Sequence, residues 1–432
     1  MASRPSPLVA LRHRNFRLLW VGLVCSFTGS SMQNAALLWH VSLLVPPGQR
    51  GLALGAVGLA KVVPIVVFSM LSGVVADAVN RRRLMLVTQT GAAGVAAALA
   101  LVTWLGLTSV WPIYALAAAG AAIGAFDLPA RHALLPSLVP REHLPNAISL
   151  NAIGVQVASV AGPTLAGMLI ASASLTTVYL GNAVSFGAVI VVLCLMRQVE
   201  EPQGDAAGGN RVTWGAAAEG LRFVFRSPLI RSTMLLDFFA TFFSSATALL
   251  PIFAQDVLQV GARGYGWLYA APALGAVTMS GVMVVFTDRI EHRGKVLLWA
   301  VAAYGVATVG FGLSRWFWLT FLCLALTGMA DTVSMIIRNL VRQLETPDRL
   351  RGRMAGVNMI FFQGGPQLGE LEAGVLATLV GAPLSVVAGG LGCLAATGAL
   401  AVTTPALRDY RATRLLSRQP AAPDVAASPT DA

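Results

Sequence analysis

Residues 73–83 read Gly-Val-Val-Ala-Asp-Ala-Val-Asn-Arg-Arg-Arg, a short charged segment between two long apolar stretches. The preceding stretch, 52–72, carries one charged side chain, Lys61, and the following stretch, 84–106, carries none. A helix needs about 20 apolar residues to cross the hydrocarbon core of a bilayer. Each flank is long enough for one crossing, so the charged segment is predicted to be a loop at one face of a membrane.

The same alternation of apolar stretches and polar loops continues along the whole chain. Of its 432 residues, 56% are hydrophobic and 11% are charged, and the mean hydropathy is +0.72. Soluble domains carry about 25% charged residues, so this composition excludes a soluble two-domain enzyme, a disordered scaffold and a disulfide-stapled secreted domain. It predicts an all-α polytopic membrane protein with twelve transmembrane helices. The predicted spans are 16–44, 52–77, 84–106, 109–130, 146–171, 176–196, 232–256, 265–286, 296–313, 317–337, 355–379 and 384–404.

The formal net charge of +11 could indicate nucleic-acid binding, but the positions of the basic residues favour another explanation. Of the 30 Lys and Arg residues, 26 fall in the N-terminal arm, the even-numbered loops or the C-terminal tail, and Lys61 lies inside a span. Only Arg50, Arg263 and Arg315 fall in the odd-numbered loops. Basic loops stay in the cytoplasm, so both termini are expected there. The strong preference for Arg over Lys suggests a GC-rich bacterial genome. We therefore expect a multi-pass protein of the bacterial plasma (inner) membrane, in contact with the lipid bilayer and not with nucleic acid.

The longest hydrophilic interruption divides the chain after six predicted spans. It predicts an N-terminal six-helix bundle over 1–196, a cytoplasmic linker with an interfacial helix over 197–231, a second six-helix bundle over 232–406 and a disordered cytoplasmic tail over 407–432. The two halves repeat weakly, because an Asp near a helix end, a basic loop and an Asn occur in both, at 127–151 and at 331–358. Parallel repeats of this kind are typical of transporters built from two pseudo-symmetric bundles, with the substrate site between them.

The segment 73–83 also resembles the loop motif Gly-x-x-x-Asp-(Arg/Lys)-x-Gly-(Arg/Lys)-(Arg/Lys) of the major facilitator superfamily. The Gly, the Asp and the closing Arg pair match, whereas Ala78 and Asn80 depart from the motif. The resemblance implies an ion-pair latch at the cytoplasmic face, built from Gly73, Asp77, Arg81, Arg82, Arg83 and Asp127. The alternative is that the three arginines only set the topology.

A second motif lies in the fifth predicted helix, where Ala158-x-x-x-Gly162-Pro163-Thr-Leu-Ala-Gly167 is similar to the antiporter motif Gly-x-x-x-Gly-Pro-x-x-Gly-Gly. In the superfamily this motif accompanies exporters more often than symporters. Small residues and a proline predict a kinkable helix that packs closely on a neighbour and seals a gate, with Gly162, Pro163 and Gly167 at the contact. The alternative is ordinary packing of small residues.

Three further stretches, 11–20, 134–142 and 367–374, resemble the drug:proton antiporter branch of the superfamily, which contains enterobactin exporters and macrolide efflux proteins. The resemblance implies a secondary active transporter that works by alternating access and exports an amphipathic small molecule, a drug or a siderophore, in exchange for protons. It further implies a link to multidrug resistance, function as a monomer, and no cofactor or metal. The alternative is a proton-linked symporter that takes up a small metabolite. A transporter-like protein that senses or scaffolds without transport is a third possibility.

Acids inside the membrane are the best pointers to function, because a carboxylate in hydrocarbon is costly and normally faces a polar path. Glu370 shares one face of helix 11 with Gln363 and Gln367, whereas Glu372 points away from it. Another candidate for proton or substrate binding is Asp237 in helix 7, which forms a polar stripe with Thr241, Ser244 and Ser245. The remaining candidates are Gln33 and Asn34 in helix 1.

We hypothesise that Glu370 or Asp237 binds a proton in alternation with the substrate. The alternative is that these acids pair with arginine or cap a broken helix. Asp331 and Arg338 are two turns apart on one helix face and are expected to pair or to serve a second gate, while Lys61 is expected to extend outward to the interface.

An enzymatic function is not supported by the sequence. The chain lacks the Gly-x-x-x-x-Gly-Lys-(Ser/Thr) phosphate loop that ATP-driven pumping would need. Its four cysteines are isolated in apolar spans and its histidines lie mostly in basic segments, so no metal site can be assembled.

Overall fold

The computed structural model describes residues 8–196, 222–347 and 350–411. Within these ranges the chain is helical and forms no strand. The helices of the first half are α1 (Arg14–Leu44), α2 (Arg50–Ala78), α3 (Arg81–Trp104), α4 (Trp111–Leu134), α5 (Leu144–Ser172) and α6 (Leu175–Leu195). Those of the second half are α7 (Pro228–Phe243), α8 (Gly261–Phe286), α9 (Arg293–Leu313), α10 (Phe317–Glu345), α11 (Arg351–Val380) and α12 (Ala382–Thr403).

Most helix ends agree with the predicted spans to within about four residues. The first exception is α10, which continues to Glu345 rather than ending at 337. Its additional turns carry Arg338 and Arg342, and both side chains are buried among polar partners within the protein. Hydropathy places the end of a predicted span at the first arginine. The predicted span is therefore shorter than the helix when that arginine is buried and paired within the protein.

The second exception is α7, which is interrupted instead of running without a break over 232–256. Its regular helix ends at Phe243, and the chain continues through a 3-10 turn at Ala246–Leu249, one α turn at Leu250–Ile252 and a π turn at Phe253–Val257. Pro251 lacks a backbone N–H and its ring crowds the carbonyl four residues earlier, so it weakens the helical hydrogen bonding next to the interruption. π turns are rare and often mark functional sites.

Of the helices that the structure describes, 10 are long and apolar enough to cross a membrane. The helices α1 and α11 are not among these 10, although both pack between the others. Both carry polar side chains near their middle, including Gln33 and Asn34 in α1 and Gln367 and Glu370 in α11. Low hydropathy is expected of a helix that faces a polar interior rather than lipid.

The two halves meet at one end of the molecule. We call one end of the molecule the basic end, because α1 begins there and the arginines of 81–83 lie there. The other end is called the opposite end. At the opposite end a single apolar cluster includes Tyr179 from the first half and Phe253 and Tyr265 from the second. At the basic end the described residues form clusters that each belong to one half. The halves are therefore joined at the opposite end and packed separately at the basic end.

Glycines allow the close approach of helices where the halves meet. A Cβ atom on Gly167 in α5 would lie 2.9 Å from the Cα atom of Gly266 in α8. Likewise, a Cβ atom on Gly374 in α11 would lie 2.8 Å from the Cα atom of Gly55 in α2. Gly162 faces α1, where a Cβ atom would lie 2.7 Å from the carbonyl oxygen of Thr28. The backbones of two helices can approach this closely only where glycine leaves no side chain between them, as in other pairs of membrane helices.

The predicted boundaries of the linker and tail are only partly covered by the described residues. The predicted interfacial helix and most of the predicted tail lie outside the described residues, which exclude 197–221 and 412–432. The predicted tail begins too early, because Leu407 and Tyr410 are buried against the second bundle and Tyr410 accepts a backbone hydrogen bond from Gly294 at 3.1 Å. The short helix at Pro405–Arg408 brings these two apolar side chains back onto the bundle.

Replacing Gly167 with valine is expected to destabilise the state in which the opposite end is closed. The new side chain would collide with α8, and overpacking of this kind costs about 1–3 kcal/mol, where about 1.4 kcal/mol is a tenfold change in an equilibrium constant. Ala173 and Arg263 are exposed on the two halves at this end and can carry spin labels. Double electron–electron resonance should show a larger population with a long distance between the two labels in the variant than in wild type.

The control is Gly187→Val in α6, where a Cβ atom would meet nothing within 4 Å. All proteins are compared in a background without the four native cysteines. An unchanged distance distribution in Gly167→Val would show that the α5–α8 contact does not hold the opposite end closed.

Candidate functional site

A polar cluster joins α1, α2 and α11 in the interior of the molecule. Lys61 in α2 donates a hydrogen bond from Nζ to Oδ1 of Asn34 in α1 at 3.3 Å. Its charge also interacts with the carboxylate of Glu370 in α11. The expectation that Lys61 extends outward to the interface is therefore wrong. Polar partners from two neighbouring helices lie within its reach, so its charge is balanced without leaving the interior.

Glu370 lies at the contact between the two halves. A Cβ atom on Gly58 of α2 would lie 2.9 Å from the Cβ atom of Glu370 and 3.0 Å from its Oε2 atom, so a glycine at this position leaves room for the carboxyl group. In the described part of the chain, Oε2 of Glu370 and Oε1 of Gln367 are buried and have no hydrogen-bond partner. These two acceptors are one turn apart on α11. A buried carboxylate oxygen without a donor is well suited to bind a proton.

The other candidates on α1 and α11 have distinct surroundings. Gln33 accepts a hydrogen bond from Nδ2 of Asn182 in α6 at 2.8 Å, whereas Asn34 is exposed and accepts the hydrogen bond from Lys61. Glu372 is partly buried and lies two residues beyond Glu370, which places it on another face of the helix. The side chain of Gln363 lies outside the described residues. Asn182 was not predicted, although an amide in an otherwise apolar span is the signal that could have identified it.

A second charged cluster is buried in the other half, between α7, α10 and α11. Asp237 forms an ion pair with Arg338 at 2.8 Å and is 4.0 Å from Arg342. Arg338 also contacts Asp331 at 3.4 Å, and Arg342 donates a hydrogen bond to Asn358. The geometry agrees with the arginine-pairing alternative for Asp237 and with the expected pair of Asp331 and Arg338. Arg342 was not predicted as a partner, although its i, i+4 spacing from Arg338 places both on one helix face.

A cavity of ≈ 220 Å³ adjoins this cluster, at the interruption of α7. Its wall combines hydroxyl groups and one carboxylate with apolar surfaces, contributed by Thr241, Ser244, Ser245, Thr247, Tyr304, Thr308, Thr327, Asp331, Pro272, Phe311, Leu324, Gly328 and Pro366. Oγ of Ser244 is buried without an oxygen or nitrogen partner among the described residues. The cavity can therefore accept hydrogen bonds from a ligand on one side and pack against its apolar part on the other.

The charged loop at the basic end is engaged within its own half. Asp127 accepts hydrogen bonds from Thr88 and Gln89, both at 2.8 Å, and forms an ion pair with Arg131. Arg82 donates hydrogen bonds to the carbonyl oxygens of Leu193 and Cys194, at the C-terminal end of α6 where a positive charge is favourable.

Asn80, which departs from the loop motif, accepts a hydrogen bond from the backbone N–H of Arg83 at 2.9 Å and so caps α3. The surroundings of Gly73 and the side chain of Asp77 are not among the described parts of the chain. The predicted latch stays a prediction, because in this arrangement Asp127 is paired with Arg131.

Polar contacts tie the two halves together at the opposite end. Arg50 and Asp256 form an ion pair in which one guanidinium nitrogen, Nη1 of Arg50, lies 2.9 Å from each carboxylate oxygen of Asp256. Gln255 donates a hydrogen bond to Ser42 at 2.8 Å, and the backbone N–H of Leu52 donates one to Thr378 at 2.8 Å. The hydroxyl of Tyr265 donates a hydrogen bond to the carbonyl oxygen of Ala35 at 2.7 Å. These contacts and the glycine pairs close the molecule at this end.

Among the described residues, His, Cys, Asp and Glu side chains do not come together in groups of three or more that could hold a metal ion.

Comparison with known proteins agrees with this architecture. The family model described as "Transmembrane secretion effector" (MFS_3) matches residues 5–430. The chain is 27% identical over 407 residues to the enterobactin exporter EntS of Escherichia coli (strain K12) and to that of Shigella boydii serotype 18. In each case the alignment covers 93% of this chain and 94% of the relative.

Solved structures of transporters share the fold. A bacterial homologue of the human lysosomal transporter Spinster has a TM-score of 0.71 at 15% identity, covering 91% of this chain and 98% of that one. A bacterial homologue of the iron transporter ferroportin has a TM-score of 0.66 at 16% identity, covering 92% and 99%. The chain therefore belongs to the transmembrane secretion effector family of the major facilitator superfamily, and it is a secondary transporter of small molecules rather than an enzyme.

Proposed function

We propose that this protein exports an amphipathic small molecule, a siderophore or a drug-like compound, from the bacterial cytoplasm in exchange for protons. The observation that carries the proposal is the position of Glu370, a buried acid at the contact between the two halves. The similarity to enterobactin exporters supports export and favours a siderophore as the cargo. The protein acts as a monomer, because each monomer contains both halves of the site.

The orientation of the protein follows from its charges. The basic end carries most of the arginines and faces the cytoplasm, with both termini on that side. The opposite end, where the two halves are joined, then faces outward, so the structure corresponds to an inward-facing state. Export requires that the opposite end open and the basic end close. In that second state the arginines of 81–83 would pair with Asp77 and Asp127 as the cytoplasmic latch.

Glu370 is a better proton carrier than Asp237. The charge of Asp237 is balanced by ion pairs with Arg338 and Arg342 of the same half, which stay intact when the halves move, although neither of its carboxylate oxygens accepts a hydrogen bond within the described residues. Glu370 has a carboxylate oxygen without a donor and lies where the halves move relative to each other. A proton bound there is exposed to one side of the membrane and then to the other as the halves rock. Asp237 then has a structural role.

The substrate is expected to have both a polar and an apolar part. Hydroxyl groups from α7, α9 and α10 line the cavity beside Asp331, together with the apolar side chains Phe311 and Leu324. A ligand with several hydroxyl or amino groups on an aromatic or aliphatic body matches this wall. The interruption of α7 brings Ser244 and Ser245 into the cavity, so this part of the helix is where the substrate binds.

The proposal is tested by accumulation of dyes, antibiotics and siderophores in an efflux-deficient bacterium that expresses the protein. Wild type should lower the accumulation of at least one compound, and a protonophore should abolish the difference. Glu370→Gln should lose export because the amide cannot exchange a proton, whereas the matched control Glu372→Gln should retain it. Higher accumulation would mean uptake, no effect on any compound would favour a protein without transport, and export by Glu370→Gln would remove Glu370 from the proton path.

The structural role of Asp237 is tested by the stability of the protein in detergent. Arg338→Gln removes the nearer ion-pair partner of Asp237 and leaves only Arg342 at 4.0 Å, and breaking a buried pair costs about 3–5 kcal/mol. We expect a lower melting temperature for this variant, and a partial recovery when Asp237→Asn is added.

The control is Arg408→Gln, which removes an exposed pair with Asp409 and should have little effect. An unchanged melting temperature in Arg338→Gln would contradict the structural role and return Asp237 to the proton path.

A further inference from the structure

We propose that Lys61 and Glu370 form a charge lock across the α2–α11 contact, which keeps the opposite end closed while Glu370 is ionised and no substrate is bound. This inference rests on the proposed role of Glu370 in proton exchange. Lys61 acts as a positioning residue, because it works through the carboxylate of Glu370. Binding of a proton, or of a substrate group, to Glu370 releases the lock.

The geometry directs both side chains to one gap between the helices. Lys61 follows Gly58 by three residues and therefore lies on the same face of α2. The carboxyl group of Glu370 occupies the space beside Gly58, with Oε2 3.0 Å from the position of a Cβ atom there. Asn34 accepts a hydrogen bond from Lys61 and thereby fixes the ammonium group on the first half. The positive charge thus belongs to one half and the negative charge to the other.

Glu370 has few other groups with which it could share its charge. Within the described chain, Lys61 is the charged side chain that acts on its carboxylate. Tyr265 and Tyr269 of α8 also interact with it electrostatically, and phenols carry no charge that could replace that of Lys61. The carboxylates of Asp237 and Asp331, by contrast, are paired with arginines of their own half. Lys61 and Glu370 are not within ion-pair distance (4.0 Å) of each other in this state, so Glu370 acts on Lys61 as a nearby counter-charge, and the attraction depends on the ionisation of Glu370.

The attraction acts directly on the movement that opens the protein. Opening the opposite end separates α2 from α11 and moves the two charges apart in a medium of low polarity, where their attraction is strong. A proton on Glu370 removes the negative charge, so the separation is then less costly. Exchange of two solutes requires that the empty, unprotonated transporter stay in one state, because its switching would dissipate the proton gradient. The lock supplies this restriction for the empty protein in the inward-facing state.

The same pair of spin labels, at Ala173 and Arg263, tests the lock in lipid nanodiscs without any substrate. In wild type, the population with an open opposite end should rise as the pH falls from about 8 to about 5. Lys61→Gln should be open already at the higher pH, by about 5-fold or more over wild type, and should lose the pH response. Lys61→Arg keeps the charge and should restore the response.

Additional variants distinguish the lock from other causes of a pH-dependent opening. Glu370→Gln imitates the protonated acid and should resemble Lys61→Gln, and the double variant should add nothing further, as expected for two residues in one interaction. Asp256→Asn removes the exposed ion pair with Arg50 and should keep the pH response.

The proposal is overturned if Lys61→Gln responds to pH as wild type does, if Lys61→Arg fails to restore the response, or if Asp256→Asn abolishes it. If the spin labels show no such lock while proton-driven export is intact, this inference is refuted and the proposed function is not. A working lock in a protein that exports nothing would instead refute the proposed function.

Discussion

The structure depends on the close approach of two helix pairs, α2 with α11 and α5 with α8, at the opposite end of the molecule. In hydrocarbon there is no hydrophobic force between helices, so their association relies on backbone contact and on polar bonds. Gly55 and Gly374 provide that contact in one pair, and Gly167 and Gly266 provide it in the other. Each pair joins one half to the other. The contact can therefore open and close as a unit while each bundle keeps its own packing at the basic end.

Buried charges follow a second constraint, because each must have a partner in a medium that solvates it poorly. Asp127 is paired with Arg131 and accepts two hydrogen bonds, and the charge of Asp237 is balanced by Arg338 and Arg342. In both cases the partners belong to the same half, so movement of the halves leaves these interactions intact. Glu370 differs because Lys61 is on the other half. This difference makes it the acid whose charge can be coupled to the movement of the halves.

Much of this arrangement could be predicted from the sequence. The helix ends were predicted well because hydropathy reports directly on contact with lipid, and the family was recognisable from the segment 73–83 and the helix containing Gly162. The interruption of α7 was not predicted, since Ser244 and Ser245 only appeared as part of a polar stripe. Hydropathy also cannot show which helices face each other. The partners of Lys61, the role of Arg342 and the contact of Gly55 with Gly374 therefore became visible only in the structure.

The central claim is that export and proton entry occur in the same cycle. Its most direct test uses everted membrane vesicles with an interior acidified by respiration and monitored by a pH-sensitive dye. Addition of a compound whose accumulation the protein lowers in cells should release protons from the vesicles in a saturable manner, and vesicles with Glu370→Gln should show no release. Uptake of the compound into wild-type vesicles without any release of protons would contradict the account.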